Sequence, residues 1–160
     1  MKKGFDLVTG GAGFIGSHLV DRLLADGRRV RVIDNYSTGR ARNLEHLAKR
    51  KELEVCEADI ADLSTRKLFV GADRVFHLAA LADIVPSIEK PDQYFRSNVV
   101  GTENALEAAR AAGARRFVYA ASSSCYGIPD KFPTPESAPI RPQYPYALTK
   151  YLGEQLVLHW

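Results

Sequence analysis

A chain of 160 residues, 46% hydrophobic and 26% charged with glycine and proline spread along it, has the length of one domain with a real core and the make-up of a globular α/β protein. Disorder and a second full domain are excluded on that basis. The formal charge of +3 comes from 22 basic and 19 acidic residues scattered among one another, so no nucleic-acid-binding stripe is indicated.

Short apolar runs alternate with longer stretches of helical period. Lys2 and Lys3 open the chain, but Asp6 interrupts the next apolar stretch before a signal-peptide core can form. No run is long enough to span a bilayer, so a cytoplasmic location and no membrane partner are expected. Residues 5–9 read as a first strand. Residues 14–26 form a helix, because Ile15, Leu19, Val20, Leu23 and Leu24 fall on one face and Gly27 can end it. Residues 29–34 give a second strand, 44–50 a helical piece, 53–58 a third strand and 64–70 a short helix that Ser64 could cap. A fourth strand is predicted at 74–80. Pro86 and Pro91 break the next segment, 98–112 is a helix stopped by Gly113, and 117–121 is a fifth strand ending in Ser122, Ser123 and Ser124. Arg110, Arg115 and Arg116 gather at the turn between those two elements, where cations suit a helix C-terminus. Cys56 and Cys125 stand in no CxxC pair and beside no suitably spaced histidine, so neither a disulfide framework nor a metal site is expected. A proline-rich stretch, 122–144, reads as a long functional loop before helical pattern resumes at Tyr146. Strands separated by helices at this spacing mean βαβ units in a parallel, doubly wound sheet, the Rossmann fold, as a single domain over residues 1–160.

Between the first strand and first helix lies Gly10-Gly11-Ala12-Gly13-Phe14-Ile15-Gly16. Glycines there allow a tight turn and let a pyrophosphate approach the free N–H groups of the helix N-terminus, while Gly16 lets the helix pack close to the sheet. Asp34 ends the second strand about twenty residues on, where a carboxylate can accept hydrogen bonds from ribose hydroxyls and repel a 2′-phosphate. NAD is therefore favoured over NADP; Arg40 and Arg42 nearby argue the other way, since guanidinium groups hold phosphates.

Tyr146 and Lys150 are four apart at the start of the last helix and share a face. A phenol ordinarily titrates near 10, and a nearby ammonium together with a bound nicotinamide cation would favour its phenolate. The serines after the fifth strand fall at the carboxyl edge of the sheet, where open α/β folds bind ligands.

Together with Asp34-Asn35, Asp59-Ile60, His77-Leu78-Ala79-Ala80, Asn98 with Gly101-Thr102, Ser122-Ser123-Ser124 before Tyr126-Gly127, and Pro145-Tyr146 through Lys150, the chain resembles the extended short-chain dehydrogenase/reductase family, and within it the UDP-sugar 4-epimerases. The resemblance implies that Gly10, Gly13 and Gly16 carry the phosphate turn, with Phe14 and Ile15 supplying N–H groups. It implies that Asp34 and Asn35 bind the ribose, Asp59 and Ile60 the adenine, that Leu78, Ala79 and Ala80 line the cofactor, that Asn98, Tyr146 and Lys150 also belong to the cofactor site, and that Asn98 steadies the active-site region. His77 reads as packing rather than chemistry. Ser122, Tyr146 and Lys150 would be catalytic, with Ser122, Ser123, Ser124 and Tyr146 facing the sugar. Ser123 and Ser124 stand where 4,6-dehydratases carry Asp and Glu; two hydroxyls cannot do that acid–base work, which disfavours dehydration. The implied reaction is epimerisation at C4 of a nucleotide-linked sugar through a 4-keto intermediate, by a homodimer paired through a four-helix bundle. Members of the family continue into a C-terminal substrate domain, so this chain is expected to be the N-terminal part of a longer protein. A non-catalytic NAD-binding module is the alternative from a different class; a dehydratase or reductase of the same family is the other.

Overall fold

The computed structural model describes residues 4–160, and the expectation resting on Lys2 and Lys3 lies outside them. Strand β1 (Phe5–Thr9) runs into helix α1 (Phe14–Ala25), followed by β2 (Val30–Asp34), β3 (Leu53–Glu57), β4 (Ala72–His77), α2 (Ile84–Glu89), α3 (Pro91–Phe95), α4 (Gly101–Ala111), β5 (Arg116–Tyr119) and α5 (Pro145–His159). All pairings are parallel and the order is β3-β2-β1-β4-β5. The chain winds outward from β1 to β3, then crosses back to add β4 and β5. That reversal leaves a crevice at the carboxyl ends of β1 and β4, the place where open α/β sheets bind ligands.

Alternation along β1 sends Leu7 to one face of the sheet and Val8 to the other. Leu7 joins Ile33, Phe69, Val75 and the small residues Ala105 and Ala108 of α4; Val8 joins Val32 and the Val20, Leu23 and Leu24 stripe of α1. Both faces of β1 are covered, and all five of its residues are buried.

The structure corrects several boundaries. The fourth strand begins at Ala72 and stops at His77, so Leu78, Ala79 and Ala80 are loop residues held to β1 by Leu78 N–H donating to the Thr9 carbonyl. Strand β5 ends at Tyr119, and the three serines lie beyond it, Ser122 capping a 3₁₀ turn, Ser123–Tyr126. Pro91 breaks the segment as expected, α2 ending at Glu89 with Lys90 non-helical and Pro91 opening α3, whereas Pro86 lies inside the first turn of α2, where no backbone N–H is needed. The expected helical piece at 44–50 is replaced by two 3₁₀ turns, Ala41–Asn43 and Glu45–Leu47, because Arg40 N–H and Asn43 Nδ2 both donate to the Ala12 carbonyl and tie this loop to the glycine turn. Ser64 caps nothing: Asp62 is the N-cap of the 3₁₀ stretch Leu63–Phe69. Between α3 and α4 the helix does not stop but passes through a π-helical turn, Arg96–Val100, which contains Asn98.

Asp6 has no local explanation in an apolar strand; its partners come from elsewhere in the chain. Its side chain is fully buried, and its carboxylate accepts from Arg28 (Nε, 2.9 Å; Nη2, 3.0 Å) and from Arg74 (Nε, 2.8 Å). Arg28 continues to Asp73, which also accepts from Arg115. Burial pushes the Asp6 pKa up, but the Arg74 and Arg28 hydrogen bonds and charges outweigh it and hold the group below the usual carboxylate range. The stabilisation from ionised Asp6 is therefore complete above its unfolded pKa of about 3.9 and is lost as pH falls through the lower folded value. Asp6→Asn is expected to lower unfolding stability at pH 7 by about 3 kcal/mol, because it strands two partly buried guanidinium groups. Urea denaturation of both proteins across pH should show the gap closing in acid; a gap independent of pH would contradict this account.

Candidate active site

The crevice at the switch point is floored by backbone. Gly10 has φ 70°, and a Cβ on it would lie 2.6 Å from the Ala79 nitrogen. A Cβ on Gly16 would collide with the Gly10 carbonyl and approach the Gly11 Cα at 2.8 Å. Only glycine fits these two positions. Helix α1 starts at Phe14 with Gly13 as N-cap and no side chain satisfying its first N–H groups, so the helix presents free donors and the positive end of its dipole to an anion. The Phe14 and Ile15 side chains point into solvent while their N–H groups belong to this first turn.

Asp34 is buried at the end of β2. One carboxylate oxygen accepts from Ala12 N–H at 2.9 Å and the other from Tyr36 N–H at 2.8 Å. It thus braces the glycine turn and bends the chain after β2, with Tyr36 at φ 56°. Each oxygen retains acceptor capacity for a hydroxyl. A groove runs over these residues, lined by Gly10, Gly13, Asp34, Asn35, Asp59, Ile60, Leu78, Ala79 and Ala80. Asp59 accepts from Ala61 N–H (2.9 Å) and Arg96 (2.6 Å). Burial raises its pKa, but those contacts prevail and hold it low. Sequence reasoning missed Ser37, Thr38, Gly39 and Ser97, which also line the groove. The Asx-type turn at Asn35, with Ser37 N–H donating to Asn35 Oδ1, is the local signal for the first three; Ser97 has none.

Beyond the groove, Ser122 follows β5 and caps the Ser123–Tyr126 turn, its Oγ accepting from Ser124 N–H. Tyr146, in the first turn of α5, places its hydroxyl 3.3 Å from Ser122 Oγ and packs edge-on against the buried Tyr94. Ser123 is exposed and Ser124 half-buried. Lys150 is buried one turn on from Tyr146, with Nζ 4.1 Å from the centre of the Tyr119 ring and no ion pair among the described residues. Burial pulls its pKa down to about 8, against the opposing charge of Glu154.

Two buried residues hold this site from below. His77 Nδ1 lies 2.6 Å from Thr9 Oγ1 and Nε2 3.0 Å from Thr102 Oγ1. Since Thr102 donates its only hydroxyl proton to the Asn98 carbonyl, Nε2 carries the ring proton and Nδ1 accepts from Thr9. Burial, with the Lys150 charge adding to it, pushes the His77 pKa down to about 3. His77 is a neutral strut, in line with its reading as a structural residue. Asn98, expected among the cofactor residues, is fully buried instead: Oδ1 accepts from Leu81 N–H, and Nδ2 donates to the Leu81 carbonyl and to Thr149 Oγ1. It ties the loop after β4 to α5. The described residues hold no cluster of His, Cys, Asp and Glu fit for a metal ion and no helix long and apolar enough to cross a membrane.

The chain is similar to several known proteins in sequence and in fold. The chain is 46% identical over 151 residues to UDP-glucose 4-epimerase of Mycolicibacterium smegmatis, covering 92% of this chain and 48% of that one. It is 37% identical over 155 residues to UDP-glucuronic acid decarboxylase 1 of Xenopus tropicalis, covering 94% and 36% respectively. The crystal structure of UDP-glucose-4-epimerase from Stenotrophomonas maltophila with bound NAD and formylated UDP-arabinopyranose superposes with a TM-score of 0.89 at 34% identity, covering 98% of this chain and 48% of that one. The chain thus spans about half the length of the epimerases it matches. Residues 7–160 match the NAD dependent epimerase/dehydratase family, and the chain belongs to that family.

Proposed function

We propose that this chain is the cofactor-binding part of an enzyme that epimerises C4 of a nucleotide-linked sugar, with UDP as the nucleotide. The observation that carries the reading is the Tyr146 hydroxyl 3.3 Å from Ser122 Oγ, on the same helix face as a buried lysine with no ion-pair partner among the described residues. The residues present fit NAD: the Gly10 and Gly16 cradle would be filled by any Cβ, and the α1 N-terminus offers uncapped donors. Gly10, Gly13, Phe14, Ile15 and Gly16 would hold the pyrophosphate, Asp34 and Asn35 the ribose, and Asp59 and Ile60 the adenine. NAD, when bound, would supply hydride-accepting and hydride-donating chemistry with no net redox change. Tyr146 takes the proton from the C4 hydroxyl and gives it back. Ser122 Oγ accepts from Ser124 N–H and hydrogen-bonds the sugar oxygen. Lys150 holds the nicotinamide ribose and keeps a positive charge beside Tyr146.

The decarboxylase relative keeps a uronic acid substrate in view, while Ser123 and Ser124, lacking carboxylates, support epimerisation over dehydration. Assays with UDP-glucose, UDP-N-acetylglucosamine and UDP-glucuronate choose among these sugars. In the whole protein, Tyr146→Phe is expected to cut epimerase turnover by about 10² or more while leaving NADH affinity intact. Ser122→Ala is expected to cost less turnover, and Lys150→Ala to lower turnover and cofactor affinity together. Equal rates for the unaltered and Tyr146→Phe proteins would remove Tyr146 from the mechanism. Absence of turnover on every sugar, with NADH still bound, would favour the non-catalytic module.

Asp34 should make the protein prefer NADH to NADPH. Because the same carboxylate braces the glycine turn, Asp34→Ala should narrow the preference and also weaken NADH binding by about tenfold or more, as expected when charge-assisted hydrogen bonds are lost. Fluorescence titration measures both; tighter binding of NADPH by the unaltered protein would overturn the assignment.

The whole protein is proposed to be a homodimer paired through α4 and α5. Supporting this, Phe95 of α3, Val99 of the π turn and Leu152 and Leu156 of α5 line an apolar cleft next to the start of α4, and Phe95 is exposed there. Leu152→Glu with Leu156→Glu should yield a monomer in sedimentation velocity, whereas a monomeric unaltered protein would refute the pairing.

A further inference from the structure

We propose that Tyr119 is a positioning residue for Lys150: its ring face, at the carboxyl end of β5, serves as the counter-charge that seats the buried ammonium beside Tyr146. The proposal rests on the reading of Lys150 as the cation of the active site, and goes beyond it by naming what holds that cation where no carboxylate among the described residues pairs with it.

The contact is built from two directions. Lys150 Nζ lies 4.1 Å from the Tyr119 ring centre, and the Tyr119 hydroxyl donates to the Lys150 carbonyl at 3.1 Å. The ring therefore grips the lysine by backbone and by side chain at once. His77 stacks against the same ring, with centroids 5.8 Å apart at 28°. Gly153 makes room: a Cβ there would strike the Tyr119 hydroxyl and lie 3.1 Å from the Asn98 carbonyl.

A cation over an aromatic face is attracted by the ring quadrupole, more strongly when both are out of water. Among titratable neighbours, His77 on β4 is neutral, and Glu154 and Tyr146 share α5 with the lysine; Thr102 and Asn98, from α4 and the π turn, carry no charge. Burial first, then Glu154, keeps the Tyr119 phenol above its ordinary range, so the ring stays neutral. The π face attracts the cation without taking up its N–H groups in a salt bridge, and these remain free for a ribose hydroxyl. A carboxylate would take up one or two of the three.

The test is side-chain NMR of ¹⁵N-labelled protein, with the Lys150 signal assigned by Lys150→Arg. Protons over a ring face are shifted upfield, so the Lys150 side-chain signals should lie upfield of the other lysines in the unaltered protein. Tyr119→Leu removes the face: the upfield shift should vanish and the Lys150 protonation constant should fall about tenfold, one pH unit. Tyr119→Phe keeps the face and should retain both signatures. If Tyr119→Leu does not fold, the unaltered protein and Tyr119→Phe still decide through the upfield shift. Unshifted Lys150 signals in the unaltered protein, or a Lys150 pKa unchanged or raised in Tyr119→Leu, would overturn the proposal. In activity, losing the face favours the neutral amine and should move the alkaline limb of kcat/KM to lower pH in Tyr119→Leu but not in Tyr119→Phe. The NMR arm needs no turnover, so a failed epimerase assay alone would count against the function and leave the positioning role standing.

Discussion

Backbone meets backbone where β1 and β4 diverge, and the rest of the site is arranged around that approach. A Cβ at Gly10 would enter the peptide between Leu78 and Ala79, and one at Gly16 would enter the Gly10 turn. Because neither exists, α1 can begin close against the sheet with its unsatisfied N–H groups turned to the crevice. Asp34 then fixes the turn from β2 by accepting from Ala12 N–H, and the 41–47 loop fixes it again through the Ala12 carbonyl. The end of β2 and the loop that follows it thus converge on Ala12. A looser turn would blur the position of every group that faces an anion.

A second constraint is a buried chain of hydrogen bonds. It runs from Ala79 N–H through Thr9 and His77 to Thr102 and the Asn98 carbonyl, while the Asn98 side chain reaches Leu81 and Thr149. Thr149 lies between Tyr146 and Lys150, and its hydroxyl turns back to the Tyr146 carbonyl. The chain links β1, β4, the π turn and α5, so the groove and the serine–tyrosine pair share one rigid support. Among the described residues no side-chain nitrogen or oxygen atom that is itself fully out of solvent lacks a partner. A fully satisfied network in a low-dielectric interior is stiff, and a single missing partner in it is costly. The π turn belongs to the same device, because it is where Asn98 leaves regular α-helical spacing and meets both Leu81 and Thr149.

What is legible in the sequence is local or periodic. The bounds of β1, the glycine turn, the Val20, Leu23 and Leu24 part of the α1 face (Ile15, expected on it, is turned to solvent), the Gly113 stop and the four-residue spacing of Tyr146 and Lys150 each depend on residues within a few positions of one another. The unreadable part depends on partners distant in sequence. Nothing near Asp6 announces Arg28 and Arg74; nothing near Thr9 or Thr102 announces His77. Leu78 to Ala80 continue an apolar run, so period alone extends the strand, whereas the close approach of Gly10 peels them off. Proline reads as a breaker because its missing N–H is costly mid-helix, and Pro91 does divide α2 from α3, yet Pro86 stands in a first turn where that N–H has no role. The motif around Asn98 groups it with cofactor contacts, but its amide is used up inside the protein.

Burial acts on His77 and Lys150 alike, and the outcomes differ because their starting points differ. Desolvation disfavours the charged form of each, and each cation would repel the other. From 6.5 the histidine falls to about 3, and from 10.5 the lysine falls to about 8. At neutral pH the first is therefore an uncharged strut, and the second remains cationic by about ten to one. The same apolar setting yields one fixed hydrogen-bonding ring and one fixed charge. Exchanging the two residue types would give a neutral group beside Tyr146 and a buried, strained cation in the strut between β1 and α4. The Tyr119 ring, which contacts both, stabilises the ammonium on its face and stacks against the neutral imidazole. The separation of charge from support at the carboxyl end of the sheet is thus a consequence of intrinsic pKa acting through a shared environment.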